Sequence, residues 1–253
     1  MNRDFGEQYA SLESWHWWFR GRQRILETVL RRELVGRTPV SIASIGCGPV
    51  EGLMWLMPLA GPNGRILGLD TEPMHALHMR LGVEFVVGKL EAAPFTSRAF
   101  DVVLALDVLE HLDDDAAGLR EGARLLKDAG FLLVTVPAFQ SLWGGQDVVS
   151  HHRRRYTKQT LYQAFARAQL PRPHLTYFNT LLFPTIAATR LLRHACGLAH
   201  RPRGDFADNH PGLMNDMLAA VFALERYLVR RVPLPFGVSL LATVRLDGSS
   251  GKR

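Results

Sequence analysis

From Val40 onward, short aliphatic and β-branched runs alternate with stretches whose apolar positions recur at helical spacing. The runs 39–46 (PVSIASIG), 64–70 (GRILGLD), 83–88 (VEFVVG), 100–107 (FDVVLALD) and 130–137 (GFLLVTVP) each meet a turn signal. They predict five parallel strands. Helices are expected between them at 51–60, 72–81 and 113–128, the last with Asp113 and Asp114 at its start and Lys127 at its end, as the helix dipole favours. Such alternation places crossover helices on both faces of a doubly wound α/β sheet.

Ahead of this unit, Phe19, Ile25, Leu26, Val29, Leu30 and Leu34 mark one amphipathic helix that Gly36 stops. Behind it, 157–170 predicts a helix capped by Thr157, 171–180 a strand, and 237–246 the last of seven strands. Two helices, 181–200 and 213–232, are expected between those strands, joined by a polar linker at 201–212. The reading is one domain over 1–253: an N-terminal helical cap at 1–36, a core at 37–180, a helical insertion at 181–235 and a closing strand at 236–247.

Composition narrows the class. With 253 residues, 47% of them hydrophobic and 21% charged, the chain can bury a sizeable core and is neither disordered, collagenous nor a disulfide scaffold. Its formal charge of +6 favours anionic ligands or surfaces. Two cysteines, Cys47 and Cys196, lie far apart in unlike contexts, so neither a disulfide framework nor a metal site is expected, and a reducing cytosol is the simplest home. The first 22 residues carry charge throughout, unlike a signal peptide, and the apolar stretch 180–189 is half of the roughly 20 residues a transmembrane helix needs. A cytoplasmic protein is expected, with at most peripheral contact at the inner membrane face.

The chemistry starts at Gly46-Cys47-Gly48, where the first strand must turn sharply and glycines let backbone approach a ligand. Asp70, 24 residues after Gly46, ends the second strand, where a carboxylate can accept from both ribose hydroxyls of an adenosine-type cofactor. Together they imply a nucleoside site where the strand order reverses.

With Gly68-Leu69-Asp70, Ala93-Pro94-Phe95, Phe100-Asp101-Val102-Val103 and Leu106-Asp107-Val108-Leu109-Glu110-His111 in this order and strand context, the chain resembles the class I S-adenosylmethionine-dependent methyltransferases of type 11. His16-Trp17-Trp18-Phe19-Arg20-Gly21-Arg22 and His152-Arg153-Arg154-Arg155-Tyr156-Thr157 look like one subgroup of them. The resemblance implies a seven-stranded Rossmann-like sheet and S-adenosyl-L-methionine as cofactor. By it, Gly46, Cys47 and Gly48 line the amino-acid end of the cofactor, Asp70 holds the ribose, and Thr71 flanks the adenosine. Leu90 and Glu91 lie against adenine, Leu106 and Asp107 approach the methionine part, Arg20 pairs with its carboxylate, and Trp18 helps close the site. Three positions depart from the family pattern: Ser44 replaces an acid, Val50 a glycine, and Lys89 the acid that meets the adenine amine.

On the acceptor side, His111 just past the fourth strand is the first candidate base, with His152 and His151 behind it; the competing reading of His111 is a helix-entry residue with a local hydrogen bond. His151, Arg154, Arg155 and Tyr156 follow the fifth strand, where such folds present substrate loops, and guanidinium forks there suit a phosphate or carboxylate. A solvated cluster, or ion pairing with Asp147, is the alternative for any one arginine. The insertion, with its apolar faces and basic residues including His200, Arg201 and Arg203, reads as a lid or membrane dock for a lipid-linked substrate, or as a helical pair packed on the sheet.

The expected activity is methyl transfer to a small-molecule acceptor, anionic and lipid-linked classes included. A non-catalytic cofactor-binding scaffold is the alternative. A nicotinamide oxidoreductase fits poorly, since Glu51 interrupts the fuller glycine motif, and no nucleic-acid partner is expected without interleaved aromatics and arginines.

Overall fold

The computed structural model describes residues 11–73, 82–198, 210–229 and 231–246. Beyond Pro73 the helix expected at 72–81 lies outside these residues, as do His200, Arg201, Arg203 and most of the 201–212 linker.

Helix α1 (Trp17–Glu33) precedes the sheet, and His16 caps it by accepting from the Trp18 amide at 3.2 Å. Strands β1 (Ser41–Ile45), β2 (Arg65–Asp70), β3 (Val83–Val87), β4 (Phe100–Leu106), β5 (Leu126–Pro137), β6 (His174–Phe178) and β7 (Ser239–Arg245) form one sheet ordered β3-β2-β1-β4-β5-β7-β6. Strands β1 to β5 run parallel; β7 is antiparallel to both β5 and β6. This is a seven-stranded, Rossmann-like doubly wound sheet. Ile42, Ala43, Ile45, Val102, Val103, Leu104, Leu132, Leu133 and Val134 are all buried, which explains why the central strands read as continuous apolar runs rather than alternating ones.

Two expected elements differ in detail. The stretch 51–60 is a 3-10 segment (Val50–Leu56) running into the short α2 (Met57–Ala60). Helix α3 (Asp115–Leu125) starts as the charges suggest, with Asp114 accepting from the Ala116 and Ala117 amides, but ends before Lys127. Leu126 pairs with Phe100 instead, and Lys127 Nζ donates to Asp101 Oδ2 at 2.8 Å, so cross-strand pairing outcompetes two more residues of helix. Helices α4 (Gly145–Val149) and α5 (Lys158–Arg167) follow β5, the latter capped by Thr157.

Between β6 and β7 come α6 (Phe183–Ala195) and α7 (Leu213–Ala223). Helix α7 lies on α1: Asn215 accepts from the Trp17 amide at 2.8 Å and donates to the Trp15 carbonyl at 2.7 Å. Gly21 lets the helices close, since a Cβ there would sit 2.4 Å from the Phe222 ring. The N-terminal helix and the insertion are thus clasped side chain to backbone.

Candidate active site

Strand β1 ends because Gly46 and Gly48 take left-handed backbone angles, φ 62° and 65°, and the Gly46 and Cys47 amides both turn to the Leu69 carbonyl. A Cβ on Gly46 would meet Val108 at 2.6 Å, whereas one on Gly48 would meet nothing within 4 Å. The first glycine serves packing and the second leaves open space. Asp70, at the end of β2, accepts from the Gly48 amide at 2.8 Å and the Glu72 amide at 3.1 Å, which shapes the glycine turn and fixes the carboxylate over it.

These residues line a cavity of about 1190 Å³ at the carboxyl ends of the parallel strands, beside the β1–β4 reversal in strand order. Of the cofactor residues expected from sequence, Gly46, Cys47, Gly48, Asp70, Thr71, Leu90, Glu91, Leu106 and Asp107 line it, as does Trp18. Lys89 is exposed and does not, so its ammonium is not presented to an adenine there.

Arg20, expected at the cofactor's carboxylate, stands elsewhere. It does not line the cavity, and its guanidinium pairs with Asp216 on α7. Arg22 faces the cavity instead, 3.2 Å from Asp107 Oδ2 and stacked 4.7 Å over the Trp18 ring. On a helix, residues four apart share a face while residues two apart are about 200° apart. Placing Trp18 over the site therefore puts Arg22, not Arg20, beside it.

Glu13, which no sequence motif marks, is a further residue of the site. It lines the cavity next to Gly52, where a Cβ would lie 2.0 Å from Glu13 Oε2. Burial pushes its carboxyl up to about 8, with Glu51 adding to the rise and Arg22 opposing it. Folding then takes up a proton at Glu13 between its ordinary 4.5 and about 8, so this group's contribution to the ligand-free protein's stability is lost as pH rises through that window. Glu13→Gln is expected to remove that slope: a higher Tm than wild type at pH 8 and an unchanged Tm near pH 4.5, read from thermal melts.

The cavity fits the cofactor that the resemblance implies. Glu13 Oε2 and Arg22 Nε are buried without hydrogen-bond partners among the described residues, and with Asp107 they offer one cation and two acids to an amino-acid zwitterion. The carboxylate of Asp70 retains acceptor capacity for ribose hydroxyls, and Gly48 leaves room for the chain between them. Cys47 is no competitor as a nucleophile, because burial, with Asp70 nearby, pushes its thiol well above the usual range.

At the acceptor end, His111, His151, His152 and Arg155 line the same cavity, and Arg154 and Tyr156 do not. Burial, then His152, pull His111 down to about 4, leaving a neutral imidazole at pH 7. The arginine run is largely spoken for. Arg155 Nε donates to Asp147 at 2.8 Å and its Nη1 to the Ala138 carbonyl at 2.9 Å; Arg154 donates to the Leu112 and Asp113 carbonyls. Tyr156 is buried with its hydroxyl 3.1 Å from Asp115 Oδ2 and 3.2 Å from the Leu109 carbonyl. An anion-binding cluster at Arg154, Arg155 and Tyr156 is thus not what the fold builds; Arg154 and Tyr156 staple the segment after β4 to the chain after β5, and Arg155 ties the chain after β5 to itself.

Asp147 is the centre of a second staple, within the chain that follows β5. Fully buried, it accepts from the Gly144 amide at 2.7 Å, from Arg155, and from His152 Nδ1 at 2.8 Å, with Arg190 3.6 Å away. Burial works against ionisation, yet the His152 hydrogen bond and the Arg155 guanidinium hold its carboxyl well below the usual carboxylate range. Asn179, fully buried at the end of β6, also lines the cavity, and neither amide atom has a partner among the described residues. Helix α6 lends Thr185, Ile186, Thr189, Arg190 and Arg193 to the wall.

Comparisons with known proteins bear on the domain and its fold. Residues 43–134 match the family described as Methyltransferase domain. A protein of Mycolicibacterium smegmatis named "Probable S-adenosylmethionine-dependent methyltransferase" is 30% identical over 135 residues, 52% of this chain and 50% of that protein. A ubiquinone biosynthesis O-methyltransferase of Methylobacterium nodulans is 32% identical over 121 residues, 42% of this chain and 47% of that protein. The chain thus spans about half the length of these curated relatives. In fold, it is similar to the crystal structure of a SAM-dependent methyltransferase from Archaeoglobus fulgidus, with TM-score 0.56, 15% identity, and 94% and 99% of the two chains covered. Over residues 43–134 the chain is thus similar to methyltransferase domains, and the name of the Mycolicibacterium relative ties that similarity to S-adenosylmethionine as cofactor.

Proposed function

We propose that the protein transfers a methyl group from S-adenosylmethionine to an oxygen of a hydroxylated small molecule. The observation that carries this reading is that one cavity joins the Gly46–Gly48 turn and Asp70 to His111 and His152. When bound, the cofactor supplies an already activated, electrophilic methyl group, so the chain's task is to align, exclude water and remove a proton. Asp70 orients the ribose, Arg22 and Glu13 hold the amino-acid end, and Trp18 covers it. With no ion bound, the neutral His111 ring is the group placed to take the hydroxyl proton. Arg193 and the Asn179 amide face the acceptor, which favours an anionic or polar head over a purely apolar one.

Titration calorimetry with S-adenosylhomocysteine tests the donor side. We expect binding to wild type, a loss of at least ~10-fold in affinity for Arg22→Met as one charge-assisted contact goes, and no change for Arg20→Met. Absence of binding, or tighter binding of a nicotinamide dinucleotide, would reject the reading. Transfer of labelled methyl to an extract, with mass spectrometry of the product, identifies the acceptor.

A lipid-linked acceptor is favoured by the insertion, whose Leu191, Leu192, Leu213, Met214 and Met217 are all more than half exposed. No helix among the described residues is long and apolar enough to cross a membrane. Co-sedimentation with anionic vesicles at low salt is the expected result, reduced by Leu213→Gln with Met214→Gln; no wild-type binding would count against peripheral attachment.

A further inference from the structure

Glu110 follows β4 within Leu109–His111 and is fully buried, yet neither of its carboxylate oxygens has a hydrogen-bond partner among the described residues. An unpartnered buried carboxylate is costly unless a proton or a cation answers it. Facing it is His152 Nε2, 4.0 Å from Glu110 Oε1, too far for a hydrogen bond. The other nitrogen of that ring, Nδ1, is committed to Asp147 at 2.8 Å. Since the Asp147 carboxylate can only accept, Nδ1 carries the hydrogen, and in the neutral ring Nε2 presents its lone pair toward Glu110. A carboxyl oxygen and an imidazole nitrogen are thus held 4.0 Å apart on the cavity wall. The His111 ring completes the group, edge-on to His152 at 4.7 Å between centroids. One ligand atom from each of Glu110, His111 and His152 lies within 4.8 Å of the others, and all three residues line the cavity.

We propose that Glu110, His111 and His152 bind one divalent first-row transition ion, Zn²⁺ or a similar ion, at the acceptor end of the cavity. Two imidazoles and one carboxylate suit such an ion better than Mg²⁺ or Ca²⁺, which prefer all-oxygen shells. Three protein ligands leave positions open, as catalytic zinc sites do. Asp147 holds the His152 tautomer by its hydrogen bond to Nδ1, the arrangement found behind metal-binding histidines generally. Closure from the present spacing to bonds of about 2.0–2.1 Å requires the three side chains to draw together by roughly an ångström. Resting on the methyl-transfer reading, the site deepens it: an acceptor hydroxyl bound at the open position would lose its proton to water more readily, with the oxygen held for attack. His111 then acts as a ligand rather than as the base assigned to it above, and the absence of a metal expected from the sequence is revised.

The test uses the whole chain, stripped with chelator and titrated with Zn²⁺ by calorimetry and with Co²⁺ by visible absorption. We expect one ion per chain, with d–d bands of a four- or five-coordinate nitrogen–oxygen site. Glu110→Gln and His152→Ala should each weaken binding at least tenfold, and His151→Ala should leave it unchanged. S-adenosylhomocysteine binding and circular dichroism, measured on every variant, show whether the fold and the donor site survive. Retained S-adenosylhomocysteine binding without metal binding by wild type would overturn the ion site alone, whereas metal binding without S-adenosylhomocysteine binding would overturn the donor reading alone. Thiolate charge-transfer bands from Cys47 or Cys196, or affinity indifferent to both variants, would also overturn the assignment.

Discussion

Asp70→Ala is expected to reduce S-adenosylhomocysteine affinity by about two to three orders of magnitude in calorimetry. Two charge-assisted hydrogen bonds to a ribose diol contribute roughly 1.5–3 kcal/mol each, and each 1.4 kcal/mol is tenfold in affinity. The same substitution releases the Gly48 and Glu72 amides, which both end on this carboxylate, so the glycine turn loses its shape as well as its partner. Asp70→Asn separates the two losses: its amide oxygen can still receive one backbone amide, so the turn is partly kept while ribose recognition weakens. Unchanged affinity in the alanine variant would remove Asp70 from the site.

The largest effect on stability is expected at Asp147. Alanine there removes the carboxylate that the buried Arg155 Nε donates to and leaves His152 Nδ1 and the Gly144 amide without that acceptor. Removing one partner of a buried pair costs about 3–5 kcal/mol, which for a chain of this size lowers Tm by roughly 10 °C. Asparagine rescues only in part, since its NH₂ must face either the Gly144 amide or the His152 and Arg155 donors. A calorimetric Tm within 2–3 °C of wild type, allowing about 2–4 °C per kcal/mol, would show that the staple contributes little.

Much of this architecture is legible in the chain because its signals are local. Strand runs, the Gly46–Gly48 turn and the acid at the end of β2 each announce themselves within a few residues. What the sequence conceals depends on partners that only folding brings close. The run 152–156 looks like an anion site until Asp147, Asp115 and the carbonyls after β4 are seen to occupy Arg154, Arg155 and Tyr156. Arg20 looks as suitable as Arg22 until α7 supplies Asp216 to one and the cavity claims the other. Glu13 and Asn179 carry no motif; only buried side-chain atoms without hydrogen-bond partners among the described residues mark them. Leu126 and Lys127 continue a helical pattern that strand pairing overrides.

The chamber's 1190 Å³ exceeds the roughly 300–1,000 Å³ usual for a drug-sized ligand, and it runs unbroken from Asp70 to His152. On the proposed reading, donor and acceptor occupy it together as a ternary complex. Cys47, the one cysteine on its wall, is held as a thiol with Sγ 3.2 Å from the Gly48 carbonyl, so it is no way-station for the carbon in transit. Under that reading the methyl group would cross directly from donor to acceptor, with inversion at carbon, and the spent nucleoside would have to leave the same chamber before the next donor could enter.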